Sequence, residues 1–307
     1  MKRLCLFAGY HPKCQVSDYV VYYVRALSQL ADVYYMADSD IPETELKKLF
    51  PYVKGAWAKR HGKYDFGSWQ ELIRRLGWDT LTQYDECIFA NDSVFGPLFD
   101  LAPIFERAEK DATLDAWAIN AYDQQYIESY FYVLKRNVLT DESCKQFFHS
   151  VTPQQDVNGV ISRYEQGITQ LLNKGNFTYK VLRCTPGSLA ENWRTFVKQG
   201  IPFLKVKNFT RAHLYFQHAY LPDWQTFLSK TTSYPTHLIL QHLRSVDINP
   251  DILNTSSFKL KSLYWVFRQW RRKTFNFHFN RREKLLILFG VTLFTNISPH
   301  PPQISEF

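Results

Sequence analysis

Residues 3–9, RLCLFAG, then 16–31, VSDYVVYYVRALSQLA, then 32–37, DVYYMA, read as strand, helix and strand in succession. The first run is apolar almost throughout, as suits a strand covered on both faces. In the second, Val20, Val24, Leu27 and Leu30 recur at helical spacing. The third is short and rich in β-formers. Asp40-Ile41-Pro42-Glu43 opens another helix, with proline near its first turn. Gly55-Ala56-Trp57 marks a third strand, residues 68–76 a helix entered from the loop HGKYDFG (61–67), and residues 86–90 a strand ending at Asn91-Asp92-Ser93. This alternation predicts an α/β fold, a mostly parallel central sheet flanked by helices. Such sheets bind ligands beyond the carboxyl ends of their strands. Both HGKYDFG and Asn91-Asp92-Ser93 fall at that end.

Farther on, residues 114–134 read as strand, polar loop and strand, and 159–175 as a helix with a glycine stop. Near Asn249 the composition turns to Asn/Ser-rich and then basic and aromatic, dividing the chain into a body, 1–248, and an extension, 249–307. Residues 259–284 within it hold nine Lys and Arg against the single acid Glu283, as large an excess as the whole chain's net charge of +8. Leu260, Leu263, Tyr264, Phe267, Trp270 and Phe275 recur there at helical spacing, predicting an amphipathic helix. Such a segment suits an anionic membrane surface, reached by residues 259–294. The same charges suit nucleic acid, but a neutral body without a nucleic-acid motif disfavours that partner.

The apolar start is too short for a signal-peptide core, which predicts no export. The longest later apolar run, 285–294, is broken by Gly290 and Thr292 and falls short of the ~20 residues that span a bilayer. Cys5, Cys14, Cys87, Cys144 and Cys184 are scattered and odd in number, predicting a reducing compartment and no zinc site. No GxGxxG or Walker pattern occurs, which disfavours dinucleotide oxidoreductases and P-loop enzymes.

Asp92, at a strand end, is a candidate ligand for Mg2+ or Mn2+ or a direct donor contact. Alone, the tripeptide reads as readily as a turn and cap. Asp65 lies in YDFGSW, where flanking aromatics and Gly67 leave room for a bound base or ribose; a helix cap is the plainer reading. Lys59, Arg60, His61 and Lys63 offer charge for a diphosphate, or a solvated loop. Glu165 is a candidate base or an ordinary helix glutamate.

The strings HGKYDFGSWQELIRRL (61–76), YDECIFANDSVFGPLFDL (84–101), YIESYFYVLKR (126–136), ISRYEQGITQLLNKG (161–175) and GIPFLKV (200–206) resemble, in order, the rhamnan synthesis protein F family. VSDYVVYYVRAL and IPETELKKL resemble its N-terminal part, so the resemblance spans roughly residues 2–207. It implies a glycosyltransferase, rhamnosyltransferase-like, that moves a sugar such as L-rhamnose from dTDP-L-rhamnose onto a lipid-linked oligosaccharide of capsule, O-antigen, lipopolysaccharide or cell-wall rhamnan. The family is similar in layout to single-domain GT-A (Rossmann-like) glycosyltransferases, here with a C-terminal helical, basic and aromatic extension.

By that analogy Asp65, Phe66, Gly67, Ser68, Asn91, Ser93, Lys59, Arg60 and Lys63 bind the donor, and Asp92 replaces the DxD metal ligand. Glu165 becomes the base, and Glu128, Ser129 and Tyr130 form the acceptor region. Glu128 departs from the family, where Gln is commoner, and NDS offers one carboxylate where DxD offers two. A β-L donor giving an α linkage implies an inverting displacement. The expected location is cytoplasmic, peripheral on the inner face of the plasma membrane. A non-catalytic polysaccharide-binding or assembly subunit with the same fold is the alternative.

Overall fold

The computed structural model describes residues 1–183, 189–190, 192–211, 221–254 and 304–307, and the backbone of three strands between 275 and 294. In the body the strands are β1 (Arg3–Gly9), β2 (Asp32–Ala37), β3 (Gly55–Ala58), β4 (Glu86–Asn91), β5 (Val94–Phe95), β6 (Ala116–Tyr122), β7 (Tyr126–Ile127), β8 (Phe131–Lys135), β9 (Tyr179–Arg183) and β10 (Leu204–Lys205). The main sheet runs β3, β2, β1, β4, β8, β6, with β7 and β9 both paired to β6, while β5 and β10 form a separate ribbon. β1 to β4 are mutually parallel and β9 is parallel to β6. β8 runs antiparallel between β4 and β6. The fold is therefore α/β, a mixed but mostly parallel sheet flanked by helices.

β1 shows why both faces are covered. Leu4, Leu6 and Ala8 pack with Phe66, Trp69, Leu72 and Ile73 of the helix Tyr64–Leu76. Cys5 and Phe7 point the other way, onto Tyr19, Val20, Tyr23, Val24 and Leu27 of the helix Asp18–Leu27. Alternation at period two thus feeds two cores from one strand. Each large apolar side chain so buried contributes about 1.5–3 kcal/mol.

Two expectations need correction. The helix after β3 begins at Tyr64, not at Ser68, so Asp65 lies in its first turn rather than in a loop. An acidic first turn complements the helix dipole, and HGKYDFG conceals it because glycine and aspartate read as loop residues. Second, the extension holds a 3-10 turn at Pro250–Asn254, but where it is described between 275 and 294 it is strand and not helix. β11 (Phe275–Asn280), β12 (Glu283–Leu288) and β13 (Val291–Phe294) form an antiparallel sheet. FNFHFN alternates aromatic and polar residues at the strand period, a signal that helical counting through Phe275 overrides. Leu260, Leu263, Tyr264, Phe267 and Trp270 lie outside the described residues.

Leu253 and Ile304 are both buried in the cores of the body. Glu306 bridges Val181 of β9, and the Phe307 ring sits 5.7 Å from that of Trp117. Among the described residues no helix is long and apolar enough to cross a membrane. Cys5, Cys14, Cys87 and Cys144 are free thiols; Cys184 lies outside the described residues.

Candidate functional site

The parallel register aligns the strand ends. Gly9 faces Ala37, Ala37 faces Ala58, and Ala8 faces Asn91. One more ladder bond carries each strand onward: Asp38 N–H to Gly9 O at 2.9 Å, Lys59 N–H to Ala37 O at 3.0 Å, and Asp92 N–H to Ala8 O at 3.2 Å. Tyr10, Asp38, Lys59 and Asp92 therefore emerge side by side along the carboxyl rim.

Asp38 organises this rim, although no sequence pattern singles it out. Its Oδ1 accepts the N–H groups of His61 (2.7 Å) and Gly62 (2.9 Å), and its Oδ2 that of Tyr64 (3.0 Å). Gly62 and Tyr64 have positive φ, +69° and +57°, so the loop curls its amides around the carboxylate. That loop then presses on Gly67, where a Cβ would lie 2.2 Å from the Lys63 Cβ. The close approach that Gly67 permits is to the protein's own chain. Phe66 and Ser68 are fully buried as well, Phe66 against Trp69 and Tyr164, and Ser68 bonded to His61 Nε2 at 3.1 Å.

These three residues therefore support the site from behind and are not open to a donor. Nor does the basic loop converge on the carboxylates. Lys59 and Lys63 lie 3.8 and 3.6 Å from Glu71, and Arg60 bonds Asp40 at 2.8 Å.

What does converge is a hydrogen-bonded chain of residues far apart in sequence. Asp65 Oδ2 accepts from Asn91 Nδ2 at 2.9 Å and from Ser129 Oγ at 3.3 Å. Asn91 Oδ1 in turn accepts from the N–H (3.1 Å) and hydroxyl (2.6 Å) of Ser93. The Ser129 N–H donates to Glu165 Oε1 at 2.7 Å. Glu165 ends a π-helical turn, Ile161–Glu165, inserted between two α-helical stretches. Such wide turns recur at functional sites.

Beside Ser129, Glu128 is buried and pairs with Lys205 Nζ at 3.1 Å, while Asn120 Nδ2 donates to its other oxygen at 2.6 Å. Tyr130, expected in the acceptor region, is instead a core residue whose hydroxyl donates to Asn120 Oδ1. Asn120 lies in no quoted motif, and Lys205, although inside GIPFLKV, has no role that the sequence assigns; the fold brings both to Glu128.

Burial dominates the electrostatics. It pushes Asp65 up from the usual carboxylate range, against hydrogen bonds from Phe66, Ser129 and Asn91. It raises Asp92 to about 7, opposed by the Tyr10 N–H, which donates at 2.6 Å, and reinforced by the charge of Asp65. It raises Glu165 to about 7 as well, with Glu128 and Asp65 adding repulsion and Lys205 opposing it. Asp92 and Glu165, lifted to about 7, can therefore exchange protons near neutral pH.

The model of the rhamnan synthesis protein F family matches residues 33–269. The chain belongs to the rhamnan synthesis protein F family. No curated protein matches the sequence. Among solved structures, a cytidylyltransferase from Leptospira borgpetersenii serovar Hardjo-bovis is similar at TM-score 0.37 and 9% identity, over 76% of this chain and 99% of that one. Apo mouse xyloside xylosyltransferase 1 is similar at TM-score 0.33 and 9% identity, over 59% and 84%. The glycosyltransferase GlyE of Streptococcus pneumoniae TIGR4 gives 0.36 and 13%, over 60% and 46%.

Within this family member, Asp38 is predicted to act on stability. Asp38→Ala strands three backbone N–H groups and should lower unfolding free energy by about 3 kcal/mol in urea titrations. A loss under about 0.5 kcal/mol, the range of a neutral surface change, would contradict the role.

Proposed function

We propose that the chain is an inverting, nucleotide-sugar-dependent glycosyltransferase of cell-surface polysaccharide synthesis. Family membership supports L-rhamnose from dTDP-L-rhamnose as the sugar and a lipid-linked oligosaccharide as the acceptor. The observation that carries the reading is the chain of bonds from Asn91 through Asp65 and Ser129 to Glu165, at the end of the sheet where α/β enzymes take ligands.

In this reading Glu165 removes the proton of the acceptor hydroxyl. Its Oε1 is held by the Ser129 N–H, and its Oε2 accepts no hydrogen bond among the described residues. A carboxylate near 7 is a competent base at neutral pH, where enough is ionised and the conjugate acid is still weak enough to form. Asp92, fixed by Tyr10 N–H, orients the donor beside the departing diphosphate. The non-catalytic alternative draws on Asp65 and Asn91, whose polar atoms are engaged internally. It requires oligosaccharide binding without release of nucleoside diphosphate.

The basic extension supports peripheral attachment to anionic lipid at the cytoplasmic face, each Lys or Arg near such a surface adding about 1 kcal/mol. The full chain should float with vesicles containing phosphatidylglycerol and not with phosphatidylcholine alone. Equal behaviour with the two lipids would refute lipid attachment through charge.

Glu165→Gln should lower kcat about 10²–10⁴-fold in a donor-plus-acceptor assay. Because the base acts as a carboxylate, wild-type kcat/KM should rise with pH through about 7. The same raised pKa sets a stability sign. Its contribution is fully present below the unfolded value near 4.5 and is lost as pH rises through about 7. Glu165→Gln should therefore melt above wild type at pH 8, and wild-type turnover in this variant would remove Glu165 from the chemistry.

A further inference from the structure

The backbone seats two lysines beside the Asn91–Ser93 strand end. β10 pairs antiparallel with β5, Leu204 opposite Phe95 and Lys205 opposite Val94, and the Val206 N–H donates to Ser93 O at 2.9 Å. Gly96 locks this register: a Cβ there would lie 2.6 Å from Pro202 O, and the Leu98 N–H donates to that same oxygen at 2.7 Å. The positions of Lys205 and Lys207 next to Ser93 are thus set by strand pairing.

The two lysines differ. Lys205 is buried, paired to Glu128 at 3.1 Å and lying 4.2 Å above the Tyr130 ring. Lys207 is exposed and forms no ion pair among the described residues, although Glu128 and Glu165 lie within electrostatic reach. Partial loss of solvent around its ammonium, with the charges of Lys205 and Arg211, pulls its pKa down, against those two glutamates. An arriving polyanion would relieve this.

Transfer to a hydroxyl also needs positive charge at the leaving diphosphate. Among the described residues no group of three His, Cys, Asp or Glu is gathered so as to hold a metal ion. Asn91 is engaged by Asp65 and Ser93, and Asp65 by Asn91, Ser129 and Phe66. That leaves Asp92 as a single carboxylate already bonded to Tyr10 N–H. The donor set does not fit the paired-carboxylate metal site of the DxD arrangement.

We propose that Lys207, placed beside Ser93 by the pairing of β10 with β5, is the diphosphate-binding cation of this site and takes the role of a divalent metal ion. The inference rests on the transferase reading above. As the bond from the anomeric carbon to the β-phosphate oxygen breaks, its electron pair stays on that oxygen and Lys207 neutralises the charge. The acceptor oxygen forms the new bond to carbon, and its proton passes to Glu165.

The test is isothermal titration of dTDP and of UDP into the full chain, in EDTA and in MgCl2, for wild type, Lys207→Met and Lys207→Arg. Wild type should bind one of the two nucleotides equally well in both media. Lys207→Met should weaken that binding about tenfold or more, and Lys207→Arg should restore most of it. Thymidine and uridine, which lack phosphate, should bind wild type and Lys207→Met alike. Should the methionine variant fold poorly, Lys207→Gln replaces it. Binding that requires Mg2+, or that Lys207→Met leaves intact, overturns the cation role and leaves the transferase reading standing. Absence of binding by either nucleotide in both media overturns the two together.

Discussion

The candidate site depends on one carboxylate, Asp65, and on the two side chains that meet at its Oδ2, Asn91 and Ser129. They come from the end of β4, the start of the helix Tyr64–Leu76 and the turn between β7 and β8. A half-buried carboxylate left without donors is costly, so the three elements are coupled through it. Ser129 passes the constraint to Glu165 through its N–H, and Asn91 passes it to Ser93. Without Asp65 these bonds lose their common anchor.

Charge balance follows from the same packing. Asp65, Asp92, Glu128 and Glu165 are brought within mutual influence by a fold that offers Lys205 as their one paired cation among the described residues. Burial and mutual repulsion lift Asp92 and Glu165 to about 7. The cost in stability and the readiness to exchange protons near neutrality have one origin. The loops carry no comparable tension: the cations of 59–63 are matched by Glu71 and Asp40, and their backbone is wound on Asp38.

Much of the body was legible in the sequence because its signals are local. RLCLFAG and DVYYMA give β1 and β2 as observed, and the strand before Asn91-Asp92-Ser93 extends one residue further than its apolar pattern, to Asn91 itself. Asp65, Asp92 and Glu165 were reachable through flanking motifs. Lys207 and Asn120 were not, and Lys205, although inside GIPFLKV, gained a role only in the fold, since their place depends on β10 pairing with β5 and on β6 lying beside β8, contacts that span many residues. Phe66, Gly67 and Ser68 misled for the opposite reason. An aromatic, a glycine and a serine beside an aspartate look like a ligand loop, yet here they pack one helix turn against its own entry loop. In the extension, FNFHFN carries the strand period in plain view, but surrounding basic and aromatic residues draw the eye to a helix.

The most direct test of the account is a crystal structure of the chain with bound dTDP or UDP. The diphosphate should lie at the end of β4, between Asp92, Ser93 and Lys207, with its terminal phosphate turned toward Glu165. A nucleotide lodged elsewhere, with the Asp65 and Glu165 network facing no ligand, would contradict it.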